Sequence, residues 1–281
     1  MRICIDAGHY GKYNRSPAVP EYYESDMNWK LHLLLKNELE RYGFEVVTTR
    51  AKKDKDLGLN ARGKASKGCD LFLSLHSNAV GGSVNEAVDY VAVYHLYEDD
   101  GTEIDERSKA LAQKLAPVIS RVMGVQQPPN VCSRRGSGDW NGDGVLNDNY
   151  YSVLNGARLV GTPGLIIEHS FHTQTRATKW LMDDKNLEKL AKAEAEVIAE
   201  FYGMKQTKTP ELGLPMLRQG DTGGTVRALQ ALLRGYGYAL TVDGIFGPKT
   251  GNAVECFQGD NGLDADGVVG PLTWAALLGL E

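Results

Sequence analysis

The chain has 281 residues, 42% hydrophobic and 24% charged, enough apolar material for a core in one large or two modest domains and too much for a disordered or fibrous chain. Lysine and arginine number 31 against 36 aspartates and glutamates, a net charge of -5 without the basic excess that tracks a phosphate backbone, which argues against nucleic acid as a partner. No run of about 18 apolar residues exists, so nothing reads as a membrane-inserting segment.

In chain order, Arg2 to Asp6 reads as a strand, and Glu24 to Tyr42 as a helix with Trp29, Leu31, Leu34, Leu35 and Leu39 recurring every three to four residues. A strand at Phe44 to Thr49, a helix at Leu59 to Lys67 and a strand at Leu71 to Leu75 follow. Next come a strand at Tyr90 to Leu96, a helix at Glu103 to Met123, and a loop-rich stretch from Gly124 to Asn149. A helix at Tyr150 to Leu159, a strand at Leu165 to Ile167 and two helices over Thr175 to Tyr202 complete the series. This alternation predicts an α/β domain with a mostly parallel sheet flanked by helices. Cys4, Cys69, Cys132 and Cys256 form no CxxC pair and read as reduced thiols of a chain too large to need staples.

After Gly203 periodicity stops, and Pro210, Gly213 and Pro215 mark a linker over residues 204–215. Residues 216–281 contain an echo: Leu240, Asp243-Gly244, Gly247-Pro248, Thr250 and Ala253 recur as Leu263, Asp266-Gly267, Gly270-Pro271, Thr273 and Ala276. In each copy Asp-Gly supplies a turn and Gly-Pro opens a helix. With the amphipathic segment Thr225 to Tyr236 this predicts a small three-helix domain. Leu217 to Gly220, Val226 to Gln230, Asp243 to Gly247, Phe257-Gln258 and Asp266 to Trp274 together resemble the PG_binding_1 peptidoglycan-binding modules.

His9 lies just past the first strand, His76 past another in Ser74-Leu75-His76-Ser77-Asn78-Ala79, and Glu168 after Leu165-Ile166-Ile167. Ligands of open α/β sheets gather at the carboxyl ends of strands, so these side chains can converge on one rim, with Glu24 at the mouth of the same loops. Two imidazoles and a carboxylate suit a catalytic zinc that keeps a fourth position for water, and a second carboxylate can act as base. Spacing alone leaves both a zinc site and ordinary polar cleft residues open, and Glu21 competes with Glu24 as ligand.

Asp6-Ala7-Gly8-His9, Glu24 with Asp26 to Leu31, Gly43 to Arg50, Leu59 to Arg62, Ser74 to Ala79 and Ile166-Ile167-Glu168 resemble, in order, the Amidase_3 family of zinc N-acetylmuramoyl-L-alanine amidases. The resemblance covers nearly all of residues 1–203 and implies that His9, Glu24 and His76 hold zinc while Glu168 activates water and assists the leaving amine. The implied activity is hydrolysis of the amide between N-acetylmuramic acid and L-alanine of the stem peptide, with bacterial peptidoglycan as partner and residues 216–281 as wall anchor. A zinc peptidase cutting within the stem peptide and a non-catalytic wall-binding protein are the alternatives. The run Glu168-His169-Ser170-Phe171-His172 departs from the Gly-Phe that follows the catalytic glutamate in many members, which leaves the roles of His169 and His172 open. Asn78 reads equally as a substrate contact or a turn former. His32 and His95 read as structural, and Arg50 and Arg62 as partners of carboxylates.

Asp139 to Asn147 reproduces the first half of a calcium loop, but Tyr150 stands where a bidentate carboxylate is needed, so calcium is not favoured over a loop on the cleft rim. Trp140 on that loop reads as a sugar platform or a core cover. The strand starting at Arg2 leaves no room for a signal peptide. The expectation is synthesis in the cytoplasm and endolysin-like access to the wall, the alternative being an autolysin cloned without its signal. Oligomeric state, wall chemotype and phage or host origin stay open.

Overall fold

Six strands, β1 (Arg2–Ala7), β2 (Glu45–Thr48), β3 (Leu71–Asn78), β4 (Ala92–His95), β5 (Asn130–Cys132) and β6 (Gly164–Phe171), form one sheet in the order β2-β1-β3-β6-β4-β5. The structure is a computed structural model that describes residues 1–97, 103–139, 148–206, 213–263 and 265–280. Strands β2, β1, β3 and β6 are mutually parallel, β4 is antiparallel to β6, and β5 is parallel to β4. The expected mostly parallel sheet flanked by helices is therefore present, with its far edge reversed.

The helices are α1 (Glu24–Arg41), α2 (Leu59–Lys64), α3 (Glu103–Met123), α4 (Ser152–Arg158), α5 (Thr175–Leu181) and α6 (Asp184–Tyr202). Strand alternation divides the core. Cys4, Phe72 and Ile166 lie on the face covered by Val153, Leu154 and Ala157 of α4, whereas Ile3, Ile5, Leu71, Leu73, Leu75, Leu165 and Ile167 lie on the opposite face. Each large aliphatic side chain so buried is worth about 1.5–3 kcal/mol. Helix α6 packs against α1 and α3, and α2 packs against α4. The α2–α4 approach depends on glycine: a Cβ at Gly63 would overlap the Val153 carbonyl, and one at Gly156 the Asn60 carbonyl.

Two features of this architecture place the site. From β1 the chain crosses to β2 on one side and then to β3 on the other, which opens a crevice at the carboxyl ends of β1 and β3. In β6 the pairing slips, His76 opposite Glu168 but Asn78 opposite Phe171, and Ser170 takes φ 59 within this bulge. Asp89 holds the bulge by accepting from Ser170 Oγ at 2.7 Å while Arg176 clamps its carboxylate.

The chain divides into two compact units, Met1–Lys205 and Gln206–Glu281. The second contains α7 (Gly224–Gly235), α8 (Pro248–Asp260) and α9 (Pro271–Leu277), with Val226, Leu229, Leu233, Phe246, Phe257 and Trp274 in its core. The sequence echo becomes a repeated hydrogen-bond clasp. Gln230 Nε2 donates to Asp243 Oδ1, the Ile245 carbonyl and Thr250 Oγ1, while its Oε1 accepts from Gly244 N. Gln258 does the same for Asp266, Val268, Thr273 and Gly267. No described helix in either unit is long and apolar enough to cross a membrane.

Candidate active site

Three chain segments deliver the site to the β1–β3 crevice. Immediately after β1, Gly8 passes so close to β3 that a Cβ would overlap the His76 ring and the Leu75 carbonyl, and Gly8 N bonds that carbonyl at 3.1 Å. His9 follows with φ 62, and Asn14 in the same loop has φ 52. Glu24 is the first residue of α1, tied back to the loop because Asn28 Nδ2 donates to the Gly8 carbonyl at 3.1 Å.

His9, Glu24 and His76 each offer a ligand atom, and these atoms lie within 4.8 Å of one another; among the described residues they are the one such group. Glu24 is fully enclosed. Its Oε1 accepts from Ser77 N at 3.0 Å and lies 2.9 Å from His76 Nδ1, while Oε2 accepts from Asn14 Nδ2 at 2.7 Å and lies 3.3 Å from His9 Nε2. Burial alone would raise this carboxyl, but hydrogen bonds and charge from His76 and His9 outweigh it and hold Glu24 well below the usual carboxylate range.

A second layer fixes the His76 ring. Asp6, wholly buried, accepts from Ser74 Oγ at 2.8 Å and from Thr49 Oγ1 at 2.6 Å. Since the Ser74 proton goes to Asp6, its oxygen accepts from His76 Nε2 at 3.1 Å, which fixes the ring with Nδ1 toward Glu24. An imidazole oriented by a carboxylate through its other nitrogen is the usual support of a metal ligand. Arg50 and Arg62 serve this frame: Arg50 donates to the Ala7 carbonyl at 2.6 Å, and Arg62 to the Leu57 carbonyl at 2.7 Å and Asp56 at 2.8 Å.

Glu168 stands in register beside His76 on the neighbouring strand, so both side chains emerge on the same face. Its Oε2 is buried without a hydrogen-bond partner. Burial, and secondarily the charge of Glu24, push this carboxyl well above the usual range. The bulge sends its neighbours different ways. His169 is wholly buried, with Nδ1 donating to the His76 carbonyl at 2.9 Å and Nε2 2.7 Å from Glu194 of α6. His172 comes to the cleft, with Nδ1 2.9 Å from the Ser77 carbonyl and 3.9 Å from Glu24 Oε2. Burial lowers its pKa against the pull of Glu24.

The remaining candidates fall outside the cluster. Glu21 is exposed, and His32 and His95 are buried elsewhere. Asn78 uses Oδ1 to accept from Ala79 N of its own turn at 2.8 Å. The calcium-like loop and Trp140 lie outside the described residues beyond Asp139. Asp6, Asn14 and Ser74 were missed as site residues. Alternation along β1 and β3, which puts Asp6, Ser74 and His76 on one face, is the signal that finds two of them.

Residues 3–200 match the model of Amidase_3, N-acetylmuramoyl-L-alanine amidase. The chain belongs to that family. Beyond this amidase domain, residues 222–277 match PG_binding_1, the peptidoglycan binding domain. The amidase fold recurs in the catalytic domain of CwlV, an N-acetylmuramoyl-L-alanine amidase from Bacillus (Paenibacillus) polymyxa, with TM-score 0.57 and 20% identity over 73% of this chain and 99% of that one. It recurs in AmiC2 of Nostoc punctiforme, with TM-score 0.56 and 22% identity over 72% of this chain and 97% of that one. Among curated relatives, an uncharacterised protein of Kitasatospora aureofaciens is 55% identical over 65 residues, 22% of this chain. The zinc D-Ala-D-Ala carboxypeptidase of Streptomyces albus G is 44% identical over 68 residues, 23% of this chain. The match spans 55% of the length of the first relative and 27% of the second.

Proposed function

We propose that this chain is a zinc-dependent peptidoglycan hydrolase that cleaves the amide joining N-acetylmuramic acid to L-alanine of the stem peptide. In this reading residues 1–203 carry the catalysis, residues 204–215 link, and residues 216–281 bind the wall. The observation that carries it is the cage of His9, Glu24 and His76, with ligand atoms within 4.8 Å, set beside Glu168, whose Oε2 is buried without a partner.

The donor set fits zinc. Two imidazole nitrogens and one carboxylate oxygen are borderline and hard donors of the kind that hold catalytic zinc while leaving a coordination position open. His76 Nδ1 and His9 Nε2 both converge on the Glu24 carboxylate, at 2.9 and 3.3 Å, so a cation can take the place of the protons shared between them. A zinc ion there supplies Lewis-acid polarisation of the amide carbonyl and acidifies a water.

The protein's own groups divide the remaining work. Asp6 and Ser74 hold the His76 ring, Ser77 N and Asn14 hold the two Glu24 oxygens, and Glu168 Oε2 is left without a partner to receive a proton. Glu168 takes a proton from the attacking water at its carboxylate and returns it to the departing amine of L-alanine, leaving a lactyl carboxylate on the sugar. An elevated pKa suits the return step, because it brings the acid closer to working pH. Glu168→Gln tests the assignment: with zinc content equal to wild type, hydrolysis of a soluble muropeptide should fall by about 10²–10⁴-fold. Undiminished turnover at full zinc occupancy removes Glu168 from this role.

A further inference from the structure

Beside the cage lies a cavity of about 550 Å³ lined by residues of the β1–α1 loop on one wall and of the loop after β3 on the other. Asn14 and His172 belong to both places: they line the cavity, and they lie 2.7 and 3.9 Å from Glu24 Oε2. A substrate whose scissile bond rests at the cage therefore extends into this space on one side.

The lining is basic. Among the described residues Lys12 and Arg15 are the charged side chains of this lining, and no carboxylate joins them, although the whole chain carries -5. Both cations are held by other parts of the loop. Lys12 Nζ lies 5.0 Å over the Tyr23 ring, and Arg15 Nε donates to the Pro20 carbonyl at 2.7 Å; among the described residues the terminal guanidinium nitrogens of Arg15 meet no other partner. Loop stiffness comes from two serines. Ser25 Oγ accepts from Tyr13 N at 2.8 Å and donates to the Gly11 carbonyl at 2.9 Å. Ser16 Oγ donates to the His172 carbonyl at 2.5 Å and accepts from Ala18 N and Val19 N. Across the cavity Gly81 and Gly82 present no side chain, which leaves room for a main chain to lie there.

We propose that this cavity is a subsite for a free carboxylate on the stem peptide just beyond L-alanine, recognised by Arg15 and Lys12, so that the protein discriminates a free acid from its amide at that position. The inference rests on the amidase reading for the direction of the substrate. A guanidinium matches a carboxylate in shape and charge, whereas a neutral amide offers it one oxygen and an unwelcome N–H pair. Groups held in place before binding also lose little side-chain entropy on contact.

The test measures binding apart from catalysis. The zinc-loaded full chain is titrated calorimetrically with the γ-methylamide of L-alanyl-D-glutamate, whose α-carboxylate is free, with the γ-methylamide of L-alanyl-D-isoglutamine, whose α-carboxyl is an amide, and with inorganic phosphate. The free acid should bind about 10-fold tighter than the amide, the size of one favourable charge-assisted contact. Arg15→Gln and Lys12→Gln together should erase that preference, whereas Lys67→Glu, an equal change of two charge units at an exposed lysine outside the cavity, should preserve it. Equal affinity for acid and amide, equal effects of the Lys67 variant, or phosphate binding as tightly as the free acid overturns the proposal. The amidase reading fails separately, on absence of a new L-alanine amino group after incubation with N-acetylmuramoyl peptides, whatever the titrations give.

Discussion

At His32 the polypeptide holds a titratable ring in a place where water cannot follow its charge. The ring is 1% exposed on α1, 4.3 Å between centroids from Trp29, and burial pushes its pKa from 6.5 down to about 3, with the Arg50 charge adding to the effect. The folded form therefore keeps His32 neutral while the unfolded chain takes up a proton near pH 6.5. This contribution to stability is complete above pH 6.5 and is lost as pH falls toward 3, at up to about 1.4 kcal/mol per pH unit. Urea unfolding of His32→Leu at pH 7 and at pH 4.5 checks it: the variant should lose less stability than wild type on acidification, and parallel losses would contradict the assignment. His32 reads in the sequence as a surface or core histidine of the helix, and the structure buries it on α1. The proposed site residues are legible differently, since His9, His76 and Glu168 each follow an apolar run that ends at a strand's carboxyl end. Asn14 gives no such signal, because its two contacts arise only from the fold of an irregular loop with φ 52.

Elements whose pattern is long and apolar were legible, and α3 falls on Glu103–Met123 as periodicity predicts. Those that differ do so for identifiable reasons. Strands β3 and β6 extend to Asn78 and Phe171, past the apolar runs, because their last residues carry polar chemistry and so resemble loop. Strand β5 has only Asn130–Cys132, too few residues for any period, and follows Pro128-Pro129. In the second unit the turn repeat is visible in sequence, but the clasping Gln230 and Gln258 are not, since they precede their turns by 13 and 8 residues. Gln230→Ala leaves Gly244 N without its acceptor and the Ile245 carbonyl without this donor. Leaving such groups unsatisfied costs about 1–3 kcal/mol, so the second unit should melt at a lower temperature while the first is unaffected. An unchanged transition of the second unit would show that the clasp is dispensable.

For the molecule as a whole, the composition break after Gly203 lies beside the division between Lys205 and Gln206 that the fold makes for itself. Helix α6 ends there with Gly203 in the left-handed region at φ 67, a natural stop before the chain changes character. A weak wall-binding module joined to a catalytic one raises the local concentration of the enzyme at an insoluble substrate and leaves the chemistry of a soluble one untouched. Removing residues 206–281 should therefore slow digestion of intact walls by about 10-fold or more, with little change on soluble muropeptides. Equal loss on both substrates, or no loss on walls, would contradict the anchoring role. With a net charge of -5, any attachment of this chain to a negatively charged surface has to come from specific contacts and not from bulk attraction.

The measurement that tests the zinc amidase account most directly is digestion of purified peptidoglycan with and without a metal chelator, followed by identification of the new end groups. The account predicts free amino groups of L-alanine and intact glycan strands, activity abolished by the chelator, and recovery on adding zinc. New amino groups on any other stem-peptide residue, new reducing sugar ends, or digestion that survives complete removal of zinc would contradict it.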